Sequence, residues 1–141
     1  MISGLKSRIR IINVVIPFQE RVLNDEVEGV AKSHAIENFR IAAGIHTGEF
    51  YGMVFQDSDV AKWLEALPTH WHVKPDAALE KRADEIIDII EKAQQPDGYL
   101  NTYLQLRSQS IVGRICRNVM NFIAQVIWWK RQWLLSGDWK R

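Results

Sequence analysis

Gln56, Asp57 and Asp59 form the densest group of side chains in the sequence that could do chemistry. They lie in FQDSDVAKW, where a glycine-containing aromatic stretch gives way to an amphipathic helix. Binding groups often gather at such junctions, and a pair of carboxylates can serve acid–base chemistry or hold sugar hydroxyls. The structural alternative is that Ser58 or Asp57 caps the helix while Asp59 complements its dipole. The spacing alone favours capping. These three residues are therefore candidates for substrate binding, and no residue is assigned a catalytic role.

Two further polar stretches are interpreted as structural. His34 lies just inside a predicted helix start, where a histidine is more often structural than catalytic. QQPDGYLNTY contains Asp97, Tyr99 and Asn101, and we predict a turn with a packed tyrosine there. The sequence contains no nucleophile–base pair and no phosphate-binding loop that pattern alone would identify.

The sequence predicts no metal site within this chain. Cys116 is the single cysteine, which excludes an internal disulfide and any cysteine-based metal site. The histidines at 34, 46, 70 and 72 form no HExxH motif, and a zinc site needs three or four ligands at suitable spacing.

Before these candidates, two segments are predicted to be helical. Apolar residues recur at helical spacing from Leu5 to Ile16, and Pro17 is expected to stop that helix, although NVVIPF is also typical of a strand. In SHAIENFRIAAG, Ser33 is the expected N-cap and Gly44 the left-handed residue that ends the helix. Its apolar face comprises Ile36, Phe39 and Ala43.

Two stronger amphipathic helices follow a stretch that we expect to be extended or looped, GEFYGMVFQDSD. The first places Val60, Trp63, Leu64 and Leu67 on one face, and Pro68 is expected to close it. The second, capped by Asp76, has an apolar stripe of Leu79, Ala83, Ile86, Ile87 and Ile90 and ends before the turn signal Pro96-Asp97-Gly98. Amphipathic helices without convincing hairpins predict an all-α fold.

Charge divides the chain into two unequal parts. Residues 105–141 carry seven basic residues against one acidic residue, a net charge of +6, while the first 104 carry eleven basic and sixteen acidic residues, a net charge of −5. A basic, tryptophan-rich tail can bind an anionic membrane surface, so a small helical interaction module is the alternative function. The acidic body argues against nucleic-acid binding. No apolar leader or membrane-spanning run is present, so a cytoplasmic location is expected.

Several segments together resemble one enzyme family. SHAIENFRIAAG, GEFYGMVFQDSDVAKWLEA and PDAALEKRADEIIDIIEKAQQPDGYLNTY, and less sharply NVVIPFQERVLND, are similar to the opening segment of the β-L-arabinofuranosidase family of glycoside hydrolases. The resemblance covers roughly residues 10–104. It implies that residues 1–104 are the N-terminal portion of an (α/α)6 barrel, incomplete in this chain and followed by a poorly specified tail.

The family resemblance also implies a chemistry. Such enzymes release terminal L-arabinofuranose from arabinose-containing oligosaccharides with retention. They use a zinc-bound cysteine thiolate as nucleophile and a glutamate as acid/base, unlike the usual pair of carboxylates. Zinc is thus expected in the full-length family enzyme, whereas those cysteines and glutamates match no position here, and Cys116 is not one of them. The fragment is expected to be inactive without the missing part of the barrel.

The resemblance stops after Tyr103, where the family would continue with a segment like CHELYCAGH and then a helix beginning EAAVA. Permitted codons for residues 117–134, read two bases later, spell ECHEFYCAGHMVEAAVA. A similar shift at LPTHWH would restore the family's AAYSLA after WLEA. We therefore interpret residues 105–141 as an out-of-frame tail whose basic and tryptophan residues imply no specific membrane partner and no nucleic acid.

Overall fold

The computed structural model describes residues 10–73 and 75–107, and in these ranges the regular structure is entirely helical. A π-helical turn, Ile11–Val15, runs directly into α1 (Ile16–Leu23). The other helices are α2 (Ala35–Ala42), α3 (Asp57–Val73), α4 (Ala77–Ala93) and α5 (Thr102–Arg107). The stretch before α3 is a loop that ends in a turn, as the sequence predicts.

One apolar core joins these helices. The predicted stripe of α3 is buried along its length, and so is that of α4 apart from Ile87, which is partly buried. Ile36 and Phe39 of α2 are fully buried between them. Each such side chain contributes about 1.5–3 kcal/mol relative to an exposed position. The indole Nε1 of Trp63 donates a hydrogen bond to the carbonyl oxygen of Ile16 at 3.1 Å, which ties α3 to α1.

Pro17 lies in the first turn of α1 and does not end a helix, so this sequence prediction is wrong. The π-helical turn precedes Pro17, and in it the Ile16 N–H donates a hydrogen bond to the carbonyl oxygen of Ile11. A π turn is wider than an α turn. Proline is also tolerated in the first turn of a helix, where its missing N–H would have no partner.

Pro68 does not close α3, and this prediction is also wrong. The helix continues for five residues beyond the proline, to Val73. An internal proline costs about 3 kcal/mol because it removes one hydrogen bond and crowds the preceding turn. That penalty opposes a helix without forbidding it, and the buried stripe up to Leu67 favours helix on the N-terminal side.

The ends of α2 and α4 follow local signals, with one shift. Gly44 has a φ of +71° and follows α2 as predicted. Asp76 caps α4 by accepting hydrogen bonds from the N–H groups of Ala78 and Leu79. Ser33, however, lies one residue before the N-cap, which is His34 in the left-handed conformation. The Ser33 hydroxyl still accepts a hydrogen bond from the Ala35 N–H, so its capping role is displaced and not lost.

A loop–helix junction as the candidate functional site

The candidate residues lie where three elements meet, and we call this region the junction: residues 50–59, together with the start of α5. Phe50 and Tyr103 pack edge to face, with ring centroids 5.2 Å apart, so the loop lies directly against α5. Leu100 and Leu104 are buried beside them. The junction therefore joins the N-terminus of α3 to a part of the chain some 45 residues away.

Asp57 holds the junction together. Its side chain is almost fully buried, and its two carboxylate oxygens accept hydrogen bonds from the N–H and the hydroxyl of Thr102, at 2.8 and 2.6 Å. Burial raises the pKa of Asp57, and the hydrogen bonds from Thr102 oppose that rise. Asp57 thus fastens the first turn of α5 to the first turn of α3. It does not cap its own helix.

Gln56 lies in the turn just before α3 and packs beneath Gly52. A Cβ atom at Gly52 would overlap the Gln56 side-chain amide, and the φ of Gly52 is +101°. The positive φ favours glycine at position 52, and a larger residue there would also have to displace the Gln56 amide. The buried Oε1 of Gln56 accepts no protein hydrogen bond among the described residues.

Asp59 differs from Gln56 and Asp57 because its carboxylate faces solvent. Its carboxylate lies 3.4 Å from the ammonium group of Lys62, one helical turn on, and both side chains are well exposed. Asp57 and Asp59 lie in the first turn of α3, where acidic groups complement the helix dipole as predicted. The Ser58 hydroxyl donates to the carbonyl of Phe55 and does not cap the helix.

A buried amide that sequence reasoning missed fixes the start of the loop. Asn38 of α2 is fully buried; its Nδ2 donates to the carbonyl of Tyr51 at 2.8 Å, and its Oδ1 accepts from the Tyr51 N–H at 3.1 Å. Its position between Ile36 and Phe39, within a buried stretch, is a signal that could have revealed it, because buried polar groups require partners.

His34 has the structural surroundings that we predicted. Its ring lies 4.5 Å from the ring of Tyr51, and its backbone N–H donates to the carboxylate of Asp25. The N–H of Ser33 donates to the same carboxylate at 2.6 Å. Asp25, which the sequence analysis also missed, therefore fixes the chain just before α2.

The predicted turn before α5 is confirmed. Gly98 has a φ of +83°, and its N–H donates to the carbonyl of Gln95. The carboxylate of Asp97 accepts from the Tyr99 N–H. Asn101 is buried, and its side chain accepts from the Leu104 N–H at 2.9 Å, which caps α5. Asp97 and Asn101 therefore stabilise local backbone structure.

A second feature is a polar groove of about 500 Å³ between α1, α2 and α4. The buried carboxylate of Glu20 accepts a hydrogen bond from Nε of Arg82 at its wall. Arg40, on the opposite side, contacts Glu37 at 3.2 Å and the side chain of Asn24 at 3.3 Å. Arg40 and Arg82, two of the arginines that line this groove, are thus engaged with groups of the protein.

The described residues do not fit a zinc site. Within residues 10–73 and 75–107, no three histidine, cysteine, aspartate or glutamate side chains come together as metal ligands. Cys116 and the side chains of His70 and His72 lie outside what the structure describes. No helix in the same ranges is long and apolar enough to cross a membrane.

Comparison with known proteins decides the family. The protein-family model for the β-L-arabinofuranosidase GH127 catalytic domain matches residues 6–140 of this sequence. The chain belongs to this family of glycoside hydrolases. A crystal structure of a GH127 β-L-arabinofuranosidase from Geobacillus stearothermophilus T6 is similar over 74% of the chain, with 55% sequence identity and a TM-score of 0.69. A non-reducing end β-L-arabinofuranosidase from Bifidobacterium longum is 43% identical over an alignment of 115 residues that covers 73% of the chain.

Membership of the β-L-arabinofuranosidase family confirms the resemblance on which the sequence analysis depended, and the match of the family model extends to residue 140, past Tyr103, where that analysis ended the resemblance. The expected all-α fold, as part of the family's helical barrel, is also confirmed, and the comparisons do not favour the alternative of a small interaction module. The chain spans only 17% and 18% of the lengths of these two relatives. It therefore corresponds to a small part of such an enzyme.

Proposed function

We propose that this chain is the N-terminal portion of a β-L-arabinofuranosidase catalytic domain and that it does not hydrolyse glycosides by itself. The observation that carries the proposal is the match to the Geobacillus enzyme: high identity and a shared fold, over less than a fifth of that enzyme's length. Each helix of such a barrel needs its neighbours to bury its inner face. The substrate class proposed for the complete enzyme is an arabinose-containing oligosaccharide. The predicted cytoplasmic location stays a prediction.

We propose different roles for the three candidate residues of the junction. Asp57 acts as a positioning residue, because its carboxylate is buried against Thr102 and offers almost no surface to a ligand. Asp59 is the candidate that a sugar hydroxyl could reach, because its carboxylate is exposed, whereas the side-chain amide of Gln56 packs against Gly52 and its Oε1 is buried. In residues 10–73 and 75–107 no three histidine, cysteine, aspartate or glutamate side chains come together as metal ligands, and we propose that the zinc site, the nucleophilic cysteine and the acid/base glutamate lie elsewhere in the complete enzyme.

A direct assay tests the first proposal. The purified 141-residue chain is incubated with p-nitrophenyl β-L-arabinofuranoside beside the full-length Geobacillus relative, and nitrophenolate release is followed. We expect release by the relative only. Turnover by the chain alone, reproduced in independent preparations and abolished by heat, would refute the proposed dependence on the rest of the domain.

We also propose that residues 105–141 are read out of frame. The proposal is supported by the codon argument, since permitted codons for residues 117–134 can spell, when read two bases later, a segment resembling the family in place of a basic, tryptophan-rich one. The test is the DNA sequence across the codons for residues 64–72 and 103–110 and beyond the tail. We expect the shifted frame to continue into the family's cysteine-containing segments. Codons that spell nothing similar when offset would contradict it.

A further inference from the structure

The loop of the junction presents an apolar surface, which we call the 51–55 patch: Tyr51, Met53, Val54 and Phe55. Each of these side chains is at least half exposed, and Met53 is 62% exposed. Four large apolar side chains are exposed within five consecutive positions, unlike the single exposed apolar residues that are normal on protein surfaces. Such a patch marks a surface that another molecule covers.

The backbone beneath the 51–55 patch is fixed before any partner arrives. Asn38 holds both polar backbone groups of Tyr51, and the His34 ring packs against the tyrosine ring. At the other end, Asp57 anchors the chain to Thr102. A loop fastened at both ends loses little conformational entropy on binding, so its apolar side chains are preorganised for docking.

The size of the relatives indicates what covers the patch. The chain matches the Geobacillus enzyme at 55% identity, yet more than four-fifths of that enzyme's length has no counterpart in it. In a barrel of packed helices, apolar groups at one segment's edge are buried by the next segments. Contact with the remaining polypeptide of such a domain would therefore remove the 51–55 patch from water.

We propose that the 51–55 patch is a docking surface for the rest of a β-L-arabinofuranosidase catalytic domain, and that this chain binds that polypeptide when it is supplied as a separate molecule. The proposal rests on the proposed function, because it takes its partner from the same family. It adds the residues that make the contact and the claim that association does not need a continuous chain.

The test uses the full 141-residue chain and the part of the Geobacillus enzyme that lies outside the match, produced as a second polypeptide. Association is measured by titration calorimetry. The variant Met53→Ser/Phe55→Ser removes two large exposed apolar groups of the patch, which are 62% and 56% exposed. Val30→Ser is the matched control, since Val30 is 42% exposed in a different loop. Because all three side chains are exposed, the far-UV circular dichroism of both variants should equal that of the parent chain.

We expect binding that the double variant weakens about tenfold or more and that Val30→Ser changes less than about twofold. Hydrogen exchange provides a second readout: the amides of residues 51–55 should become protected on binding, and those of residues 28–32 should not. No association, equal weakening by both variants, or a self-associating chain in which the patch is already covered would overturn the proposal. This experiment measures binding and not arabinose release. A failure of the proposed function would appear in the nitrophenolate assay, and a failure of the docking proposal would appear here.

Discussion

Replacing Asp57 with alanine should destabilise the chain strongly, although the residue belongs to a cluster that is typical of a surface site. In the folded chain, both donors of Thr102 point at the Asp57 carboxylate, and Thr102 is fully buried. Alanine would leave a buried N–H and a buried hydroxyl without their acceptor, since water does not reach them. The substitution would also free the start of α5 from α3.

The magnitude follows from these two hydrogen bonds. Each buried donor left without a partner costs about 1–3 kcal/mol. Removing the carboxylate also removes its own unfavourable burial, the effect that raises its pKa, and this offsets part of the loss. We therefore expect the free energy of unfolding to fall by about 2–4 kcal/mol.

Urea denaturation at pH 7, followed by circular dichroism at 222 nm, measures this loss. Asp59→Ala is the matched control, because it removes a carboxylate two residues away that is exposed and contacts only Lys62 among the interactions seen in the structure. An exposed pair of this kind contributes less than about 0.5 kcal/mol. If Asp57→Ala cost no more than Asp59→Ala, the inferred role of Asp57 as the link between α3 and α5 would be refuted.

Three further substitutions test the pKa of Asp57, the charge contacts of Glu37 and the backbone at Gly52. Burial raises the pKa of Asp57 above its ordinary value of 3.8, so its contribution to stability is full below pH 3.8 and declines as the pH rises through the folded pKa. Asp57→Asn should abolish that decline in urea titrations from pH 3 to 8. An unchanged profile would contradict the assignment of the decline to Asp57. Burial opposes a low pKa at Glu37, but hydrogen bonds and charge from His46 and Arg40 lower it below 4.5; Glu37→Gln should therefore reduce stability above pH 4.5, and the difference should vanish as the pH falls through the folded pKa. Gly52→Ala should cost about 1–3 kcal/mol in the same assay through backbone strain at φ +101° and overlap with the Gln56 amide, whereas Gly29→Ala, with the same sign of φ but open space, should cost less.

The helices and their buried faces could be predicted because they are local patterns. The α3 stripe from Val60 to Leu67 needs only a period of 3.6 residues, and the Asp76 cap needs only a carboxylate ahead of an apolar run. The prolines show the limit of such patterns. A local rule stops a helix at Pro17 and at Pro68. Pro17 instead lies in the first turn of α1, where proline is tolerated, and at Pro68 the helix continues despite a penalty of about 3 kcal/mol.

The roles of the polar residues depended on partners far along the chain. Gln56, Asp57 and Asp59 look alike in sequence, yet the structure buries one carboxylate against Thr102 and leaves the other in solvent beside Lys62. No short-range pattern connects Asp57 with a threonine 45 residues later. Asn38 is similar, because its importance comes from the loop backbone that it holds.

By itself, the sequence determined the family, the helical class and the apolar faces that form the core, because these are recorded in motifs and in spacings within single elements. Only the tertiary structure decided which carboxylate is structural, how Asn38 and Asp57 fasten the loop, and that the 51–55 patch faces outward. The physical reason is that burial and hydrogen-bond partnership are properties of pairs of segments. They come into existence only when chain packing brings those segments together.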